Sequence, residues 1–388
     1  MRVLLFYFAE LGYLGGVEEV VRTLTQGFIE RGCSAGIVEI APAWKPKRIL
    51  TGGVPVWGIA APSYTTVTRP RSWASFSRAT FQFGRVVHDF KPDVVHVHYP
   101  LTQALPCVGA HSFPHNWRLV VTAHGSDIRR SPFDAPKIRS WQARLFDRCD
   151  AVTAVSRSLL DDLIALYPHA GPKAHVIYNG VTPRWFQTQG SKRLIAEKYV
   201  LFVGRLHRVK GVDILLDAWR QICTDLPGVR LWLVGEGPER ESLRALAEQT
   251  GISSRVEFAG AMPQEELPAL YRDAEAVVLP SRSEGMPLTL LEAGASGALF
   301  VATSIPGIPE IIEDGRTGFL SAPESPHALA SAVCRALKTS PEESLRMRET
   351  LQGTIRKRFS QAVVISNYLD LFEGLRTKPG SGPRVDNV

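Results

Sequence analysis

The feature that most restricts the fold is a rhythm that runs through the chain twice. Short, uninterrupted apolar runs alternate with segments whose apolar residues recur at helical spacing. RVLLFYF (2–8) opens the series. Such a run is what a strand covered on both faces requires. VEEVVRTLTQGFIERG (17–32) follows, with Val17, Val20, Val21, Leu24 and Phe28 on one helical face and Gly32 as a stop signal. Further strand candidates are DVVHVH (93–98), RLVVTAH (118–124), DAVTAVS (150–156) and HVIYNG (175–180). Strands alternating with helices predict a parallel, doubly wound α/β sheet.

The rhythm pauses at VTPRWFQTQGSKRLIAEK (181–198), which is polar and turn-rich, and then restarts. YVLFVG (199–204), a helix over 211–223, RLWLVG (230–235), a helix over 238–250, VEFAG (256–260), AEAVVLP (274–280), a helix within PSRSEGMPLTLLEAGASG (280–297) and ALFVAT (298–303) form the second series. The expected organisation is therefore a Rossmann-like domain over 1–180, a linker over 181–198 and a second Rossmann-like domain over 199–360. A C-terminal helix over 361–376 packs back toward the first domain, and a Gly/Pro-rich disordered tail covers 377–388. A chain of 388 residues fits two domains. Two such domains in tandem are expected to face each other across a cleft, with ligands beyond the carboxyl ends of the strands.

Charge is unevenly placed. Residues 1–180 hold 20 Lys/Arg against 13 Asp/Glu, whereas the remainder holds 25 of each, so the whole net charge of +7 lies in the first half. A basic half suits an anionic partner such as a membrane surface or a phosphorylated substrate. Nucleic acid is not expected, because no recognition motif is visible. The five cysteines, at 33, 107, 149, 223 and 334, contain no CxxC pair, which fits neither a disulfide framework nor a zinc site. A reducing, cytoplasmic compartment is the expectation. MRVLLFYFAE has an apolar stretch ended by Glu10 and reads as a buried first strand rather than a signal peptide. No run approaches the roughly 20 apolar residues of a membrane span.

The loops after the strands carry the candidate chemistry. In ELGYLGGVEEV (10–20), Gly15 and Gly16 precede a helix start, where backbone N–H groups and positive potential are available to an anion. GRLHRVKGVD (204–213) places Arg205 and Lys210 just beyond a strand, and a guanidinium fork with an ammonium point charge suits a diphosphate. VGEGPER (234–240) starts like a dinucleotide fingerprint, but Arg240 occupies the third glycine position. No GxGxxG follows an expected strand, which disfavours a nicotinamide dehydrogenase. In PSRSEGMPLTLLEAGASG, Pro287 suits the first helical position and leaves Glu284 in the loop before it. Thr289, Glu292 and Ser296 form a narrow polar line at the border of an apolar helix face. A carboxylate there can accept the two hydroxyl protons of a ribose.

Together with PDVVHVH, TAHGSD, VIYNGV and PGIPEII, these motifs run along most of the chain. In this order they resemble the family-four retaining glycosyltransferases of the GT-B fold, in which two Rossmann-like domains face each other. The resemblance implies a hexosyltransferase that moves a sugar from a nucleotide diphosphate sugar, UDP- or GDP-linked, to a glycan, lipid-linked or other acceptor hydroxyl. It implies that Arg205 and Lys210 hold the diphosphate, Glu292 the ribose and Glu284 the donor sugar. Backbone N–H groups of Gly285, Met286, Pro287 (which itself has none) and Leu288 lie in the segment it assigns to sugar and phosphate. Gly15 and Gly16 belong beside the donor phosphates. His124 would reach the transferred sugar, with Asp127 and His98 as acceptor-side candidates. The implied reaction retains anomeric configuration by a front-face route, in which the leaving phosphate accepts the acceptor's proton and no metal or other cofactor takes part.

Two departures from the family pattern stand out. Pro306-Gly307 replaces paired glycines, and Met286 replaces a frequent aromatic residue. His96 and His98 share a strand face, but no third ligand is evident and no metal site is expected. In RPRSWASFSRATFQFGRVVHDF (69–90), Trp73, Phe76, Thr80, Phe83 and Val87 recur near helical spacing beside Arg69, Arg71, Arg78 and Arg85. The segment fits either a core helix with solvated arginines or a helix lying on an anionic bilayer. The second reading places the enzyme peripherally on the inner face of the membrane. Two other functions fit the same scaffold: a sugar phosphorylase using inorganic phosphate, and a catalytically silent sugar-nucleotide-binding protein.

Overall fold

A computed structural model describes residues 1–12, 15–50, 52–61, 72–113, 115–130, 133, 136–187 and 194–377. The chain divides into two compact units, Met1–Asn179 with Gln361–Val388, and Gly180–Ser360. The tail expected over 377–388 lies outside the described residues, except for Thr377.

In the first unit the strands are β1 (Arg2–Tyr7), β2 (Ser34–Ile40), β3 (Lys45–Ile49), β4 (Pro55–Ile59), β5 (Val94–His98), β6 (Arg118–Ala123), β7 (Ala151–Ala154) and β8 (Ala174–Val176). They form one sheet in the order β3-β4-β2-β1-β5-β6-β7-β8. Helices α1 (Gly16–Glu30), α2 (Ser72–Phe90), α3 (Leu105–His111), α4 (Ser126–Arg129), α5 (Pro136–Arg148) and α6 (Arg157–Leu166) connect them. The sheet is parallel except for β3, which pairs antiparallel with β4. KPKRI is a mostly exposed edge strand, and its lysines and proline are devices that discourage further pairing. The expectation of a wholly parallel sheet is corrected at this edge. Within β1, Val3, Leu4, Leu5 and Phe6 have no exposed surface. Burying such side chains stabilises by roughly 1.5–3 kcal/mol each.

The second unit has a six-stranded parallel sheet, in the order β11-β10-β9-β12-β13-β14. Its strands are β9 (Tyr199–Val203), β10 (Arg230–Val234), β11 (Val256–Gly260), β12 (Ala276–Leu279), β13 (Phe300–Thr303) and β14 (Phe319–Ser321). Its helices are α7 (Val212–Asp225), α8 (Arg240–Gln249), α9 (Leu267–Asp273), α10 (Leu288–Ala295), α11 (Pro326–Lys338) and α12 (Pro341–Arg358). Trp219, Leu215, Leu216, Leu231, Leu233 and Leu329 belong to one continuous buried cluster. Ser340 caps α12 by accepting the N–H of Glu343 at 3.2 Å, as its S-x-x-E sequence requires.

The segment expected to be a linker is partly integral to the second unit. Val181 pairs with Ser360, and a turn over Pro183–Phe186 buries Trp185. Trp185 packs 6.0 Å, centroid to centroid, from Tyr271. The last helix, α13 (Gln361–Thr377), belongs to the first unit. Gln361 donates to the Thr23 carbonyl of α1 at 2.8 Å, and Phe28 packs against both Tyr368 and Phe372, at 6.4 and 5.8 Å between ring centroids.

Candidate active site

Each sheet has one place where successive connections leave in opposite directions. In the second unit it lies between β9 and β12, since β10 follows β9 on one side and β12 pairs on the other. Loops diverge there and leave a crevice. The loop after β9 fills the middle. Leu206 N–H donates to the Glu236 carbonyl at 2.9 Å, and Arg282 N–H donates to the Val209 carbonyl at 2.8 Å. A Cβ on Gly235, whose φ is +137°, would stand 2.0 Å from the Gly204 carbonyl oxygen. A Cβ on Gly211, at φ +66°, would stand 2.0 Å from that of Pro280. Only glycine permits these close approaches, so the three loops form one rigid assembly.

The side chains of that assembly converge. Lys210 Nζ donates to Glu284 Oε1 at 2.6 Å. Ser281 Oγ donates to the same oxygen at 2.7 Å. Thr303 Oγ1 donates to the Ser281 carbonyl at 2.6 Å, which fixes the loop from β13. Arg282 pins the turn that carries Lys210. It donates to Asp213 through two nitrogens at 2.7 Å each and to the Arg208 carbonyl at 2.6 Å. Burial would raise the Asp213 carboxyl, but the Arg282 guanidinium outweighs it and holds it below the usual range. Hydrogen bonding to Asp213 in turn raises the guanidinium further above its ordinary value. Arg205 is exposed in the same loop, five positions before Lys210.

Helix α10 begins at Leu288 with Pro287 as its N-cap, one residue later than expected, a difference within the ordinary spread of helix ends. Its first turn is tied to β9, since Thr289 Oγ1 donates to the Val203 carbonyl at 3.3 Å. Gly297 ends it at φ +80°, and Ala298 N–H reaches back to the Ala293 carbonyl at 3.0 Å, a Schellman closure. Glu292 is only 8% exposed, and Tyr271 Oη donates to its Oε2 at 3.4 Å. Burial, and then the charge of Glu292, hold the Tyr271 hydroxyl well above its usual value, so it remains a donor. Gly285, Met286 and Pro287 are buried, while Leu288 is half-buried.

In the first unit the switch point lies between β1 and β5. Phe8 after β1 stacks on Tyr99 after β5 at 4.5 Å. Gly15 is the extended N-cap of α1 and Gly16 its first residue. Glu18 folds back from the first turn of α1 and accepts the Gly12 N–H at 3.0 and 3.1 Å. Residues 13 and 14 of the glycine-rich loop lie outside the described residues. At the ends of β5 and β6, His98 Nδ1 lies 3.1 Å from His124 Nε2. His98 and Asp127 have no exposed surface, whereas His124 is half-buried. Asp127 accepts the backbone N–H groups of His124 at 2.9 Å and Gly125 at 2.6 Å. Burial nevertheless raises its carboxyl to about 6. Burial also lowers His124 and His96 to about 3 each and His98 well below its usual value. Among the described residues, no group of three or more His, Cys, Asp and Glu side chains could hold a metal ion.

Two family descriptions divide the chain between them. "Glycosyltransferase Family 4" matches residues 14–185 and "Glycosyl transferases group 1" matches residues 184–353. The chain belongs to the family 4 glycosyltransferases. It is 29% identical over 344 residues to an uncharacterised glycosyltransferase of Methanocaldococcus jannaschii, covering 84% of this chain and 85% of that one. It is 26% identical over 405 residues to the D-inositol 3-phosphate glycosyltransferase of Corynebacterium urealyticum, covering 97% and 94%. Among solved structures, Anabaena HepE in complex with UDP-glucose superimposes with a TM-score of 0.78 at 20% identity, covering 96% of this chain and 100% of that one. Sucrose-phosphate synthase from Thermosynechococcus elongatus does so with a TM-score of 0.79 at 19% identity, covering 96% and 98%. The fold is GT-B.

In this glycosyltransferase, the structure joins Lys210 directly to Glu284 and sets Glu292 on the helix that follows. It also joins His98 to His124 and His124 to Asp127. Asp127, expected on the acceptor side, has no exposed surface and holds the loop through the backbone N–H groups of His124 and Gly125. His98 likewise has no exposed surface, and its Nδ1 lies against His124. Sequence reasoning missed Ser281, Arg282 and Tyr271. Ser281 and Arg282 were inside a quoted motif, but a bond to a side chain three residues on or a distant turn leaves no periodic signal. Tyr271 sits on α9, remote in sequence from Glu292, and nothing in its neighbours marks it.

Of the aromatic stripe on α2, Phe83 points inward and Phe76 is half-buried. Phe83 has no exposed surface and packs on Phe6 and Trp117 at 6.0 and 6.3 Å, so α2 has the character of a core helix on that face. Phe81 and Phe113 are the exposed aromatics nearby, each 68% exposed. They border a groove of about 1400 Å³ that also includes Trp44, Trp57, Lys47 and Arg85. Arg69 and Arg71 lie outside the described residues. No helix among the described residues is long and apolar enough to cross a membrane.

Proposed function

We propose that the enzyme takes a nucleotide diphosphate sugar, UDP- or GDP-linked, and transfers the sugar to an acceptor hydroxyl with retention of configuration. The observation that carries this reading is the Lys210–Glu284–Ser281 constellation at the switch point of the second sheet, followed by Glu292 in α10. Lys210 supplies a cation to the diphosphate, with Arg205 on the same loop. As the bond to the sugar carbon breaks, negative charge grows on the departing phosphate. A cation fixed in place stabilises that charge more than it stabilises the ground state. Glu284, once its ammonium partner turns to phosphate, is left to accept hydroxyl protons of the sugar. Glu292 accepts from the ribose. The N–H groups at the start of α10 favour an anion. Gly15, Gly16 and His124 of the first unit are further donor-contacting groups in this proposal. The transfer runs without a metal: the leaving phosphate takes the acceptor's proton.

The acceptor in this reading belongs to cell-envelope, lipid-linked or other glycoconjugate synthesis, and the basic first unit favours an anionic one. The inositol phosphate in the name of one relative is consistent with that charge preference. Lys47 and Arg85, with exposed Phe81 and Phe113, support peripheral docking on an anionic membrane, from the cytoplasmic side.

The decisive experiment is a thermal-shift screen across UDP, GDP, ADP and their sugars, since a ligand that binds the native state raises its stability. One nucleotide series should raise the melting temperature, and the matching sugar should be hydrolysed slowly or transferred with its anomeric configuration kept. No shift from any nucleotide, or complete loss of activity in excess chelator, would overturn the reading. Failure to co-sediment with anionic liposomes at low salt would remove the membrane part alone.

A further inference from the structure

The pair His98–His124 has one proton to place between two nitrogens 3.1 Å apart. The same pair has another nitrogen, His98 Nε2, that is buried and has no hydrogen-bond partner among the described residues. These facts decide the tautomers. A neutral imidazole carries one N–H and one lone pair. If His124 donated from Nε2, His98 would accept at Nδ1 and carry its own hydrogen on the buried, unpartnered Nε2. If His98 donates from Nδ1, the unpartnered atom is only a lone pair. Orphaned buried N–H donors are the rarer and more costly case. The neighbouring ring follows the same rule. His96 Nδ1 is also buried without a partner, while His96 Nε2 lies 2.7 Å from Thr122 Oγ1. His96 therefore donates from Nε2 to Thr122. Thr122 can pass its own hydrogen to Thr153 Oγ1 at 2.5 Å. One assignment leaves both orphan positions as lone pairs.

We propose that His98 is a positioning residue: it donates from Nδ1 to His124 Nε2 and so fixes His124 as the Nδ1–H tautomer, a hydrogen-bond donor toward its ligand. His124 then offers a hydrogen to an oxygen of the sugar and has no free lone pair with which to act as a base. Its backbone is held independently, by Asp127, so His98 sets the ring's proton rather than the loop's path. The sugar contact rests on the donor reading given above; the tautomer does not.

The test uses the full chain labelled with 15N-histidine, observed by long-range 1H–15N correlation. His124 should show a protonated Nδ1 and an unprotonated Nε2 in the wild type. His98→Asn keeps an amide donor near the position of Nδ1 and should preserve that pattern. His98→Leu removes the donor and should shift His124 toward the Nε2–H form. In transfer assays His98→Leu should lose about tenfold in kcat/KM, the worth of one hydrogen bond, and His98→Asn should recover most of it. A wild-type His124 protonated on Nε2 would overturn the proposal without requiring any variant to fold. So would an unchanged tautomer in His98→Leu, or an Asn variant that restores the tautomer but remains as slow as the Leu variant. Absence of sugar transfer in the wild type, with the tautomer as stated, would count against the donor reading alone.

Discussion

Lys210 and Glu284 are 74 positions apart in sequence and meet at 2.6 Å, so the residue scale carries most of the proposed chemistry. The two side chains are 24% and 10% exposed, an environment between a surface pair and a buried one. Lys210→Ala therefore has two separable effects. The leaving diphosphate loses its fixed cation, and turnover should fall about a hundredfold or more. Glu284 keeps the Ser281 hydroxyl but loses its charge partner, which should cost the unliganded protein about 1–2 kcal/mol, less than a fully buried pair would lose. Steady-state kinetics read the first effect and denaturant unfolding without nucleotide reads the second. Wild-type turnover in the variant would falsify the diphosphate assignment. The motif GRLHRVKGVD marks Lys210 in the sequence and PSRSEGMP marks Glu284, so both were legible. That they pair with each other was not, because the pairing is made by the order of strands β9 and β12 and not by any local spacing.

At the scale of elements, legibility follows burial. Strands β1, β9 and β12 are buried and read as nearly continuous apolar runs, and β5, β6 and β7 are as deeply buried but stay legible because their few polar residues (His96, His98, Thr122, Thr153) sit among valines and alanines. Strand β2 does not, because Glu39 breaks it. That carboxylate has no exposed surface and is held by Arg48 and by the Leu11 N–H at 2.9 Å. Strands β3 and β4 lie toward the edge of their sheet, and the three-residue β14 is too short to show a period. The glycines of VGEGPER were legible as the end of a strand, but their purpose was not. Gly235 is required because the Gly204 carbonyl of a different loop approaches it, and sequence does not reveal which loops touch. Gly235→Ala should destabilise the second unit by about 3 kcal/mol or more, from a backbone overlap that no side-chain rotation relieves and a φ that alanine rarely adopts. Its thermal stabilisation by nucleotide should be lost together with the loop. A variant that melts like the wild type and keeps its nucleotide shift would show that the three loops are not locked by this contact.

At the scale of the whole molecule, the two units differ in what acid does to them. In the first, His96 and His124 are lowered to about 3 and His98 well below its usual value, all by burial. The unfolded chain takes up those protons below about 6.5, and the folded chain does not. Stability is therefore lost as pH falls from about 6.5 toward the folded values, by at most about 1.4 kcal/mol per pH unit for each ring. His115, lowered to about 4 chiefly by burial, is more exposed and adds less. Asp127 acts in the opposite sense. Its folded value of about 6 lies above the unfolded one near 3.9, so it restores stability as pH falls between them. One aspartate against several histidines leaves a net loss. In the second unit, the Asp213 carboxyl is depressed by Arg282, and its contribution persists until pH falls below the ordinary carboxylate range. Between about pH 7.5 and 5, amides of β5, β6 and β7 should lose hydrogen-exchange protection while those of β9, β10 and β12 keep theirs, after correction for intrinsic exchange rates. Substituting His96 by a residue that does not titrate should flatten the pH response of the first unit. Equal loss in both units, or none in the first, would mean that the buried histidine stack is not what couples this fold to pH.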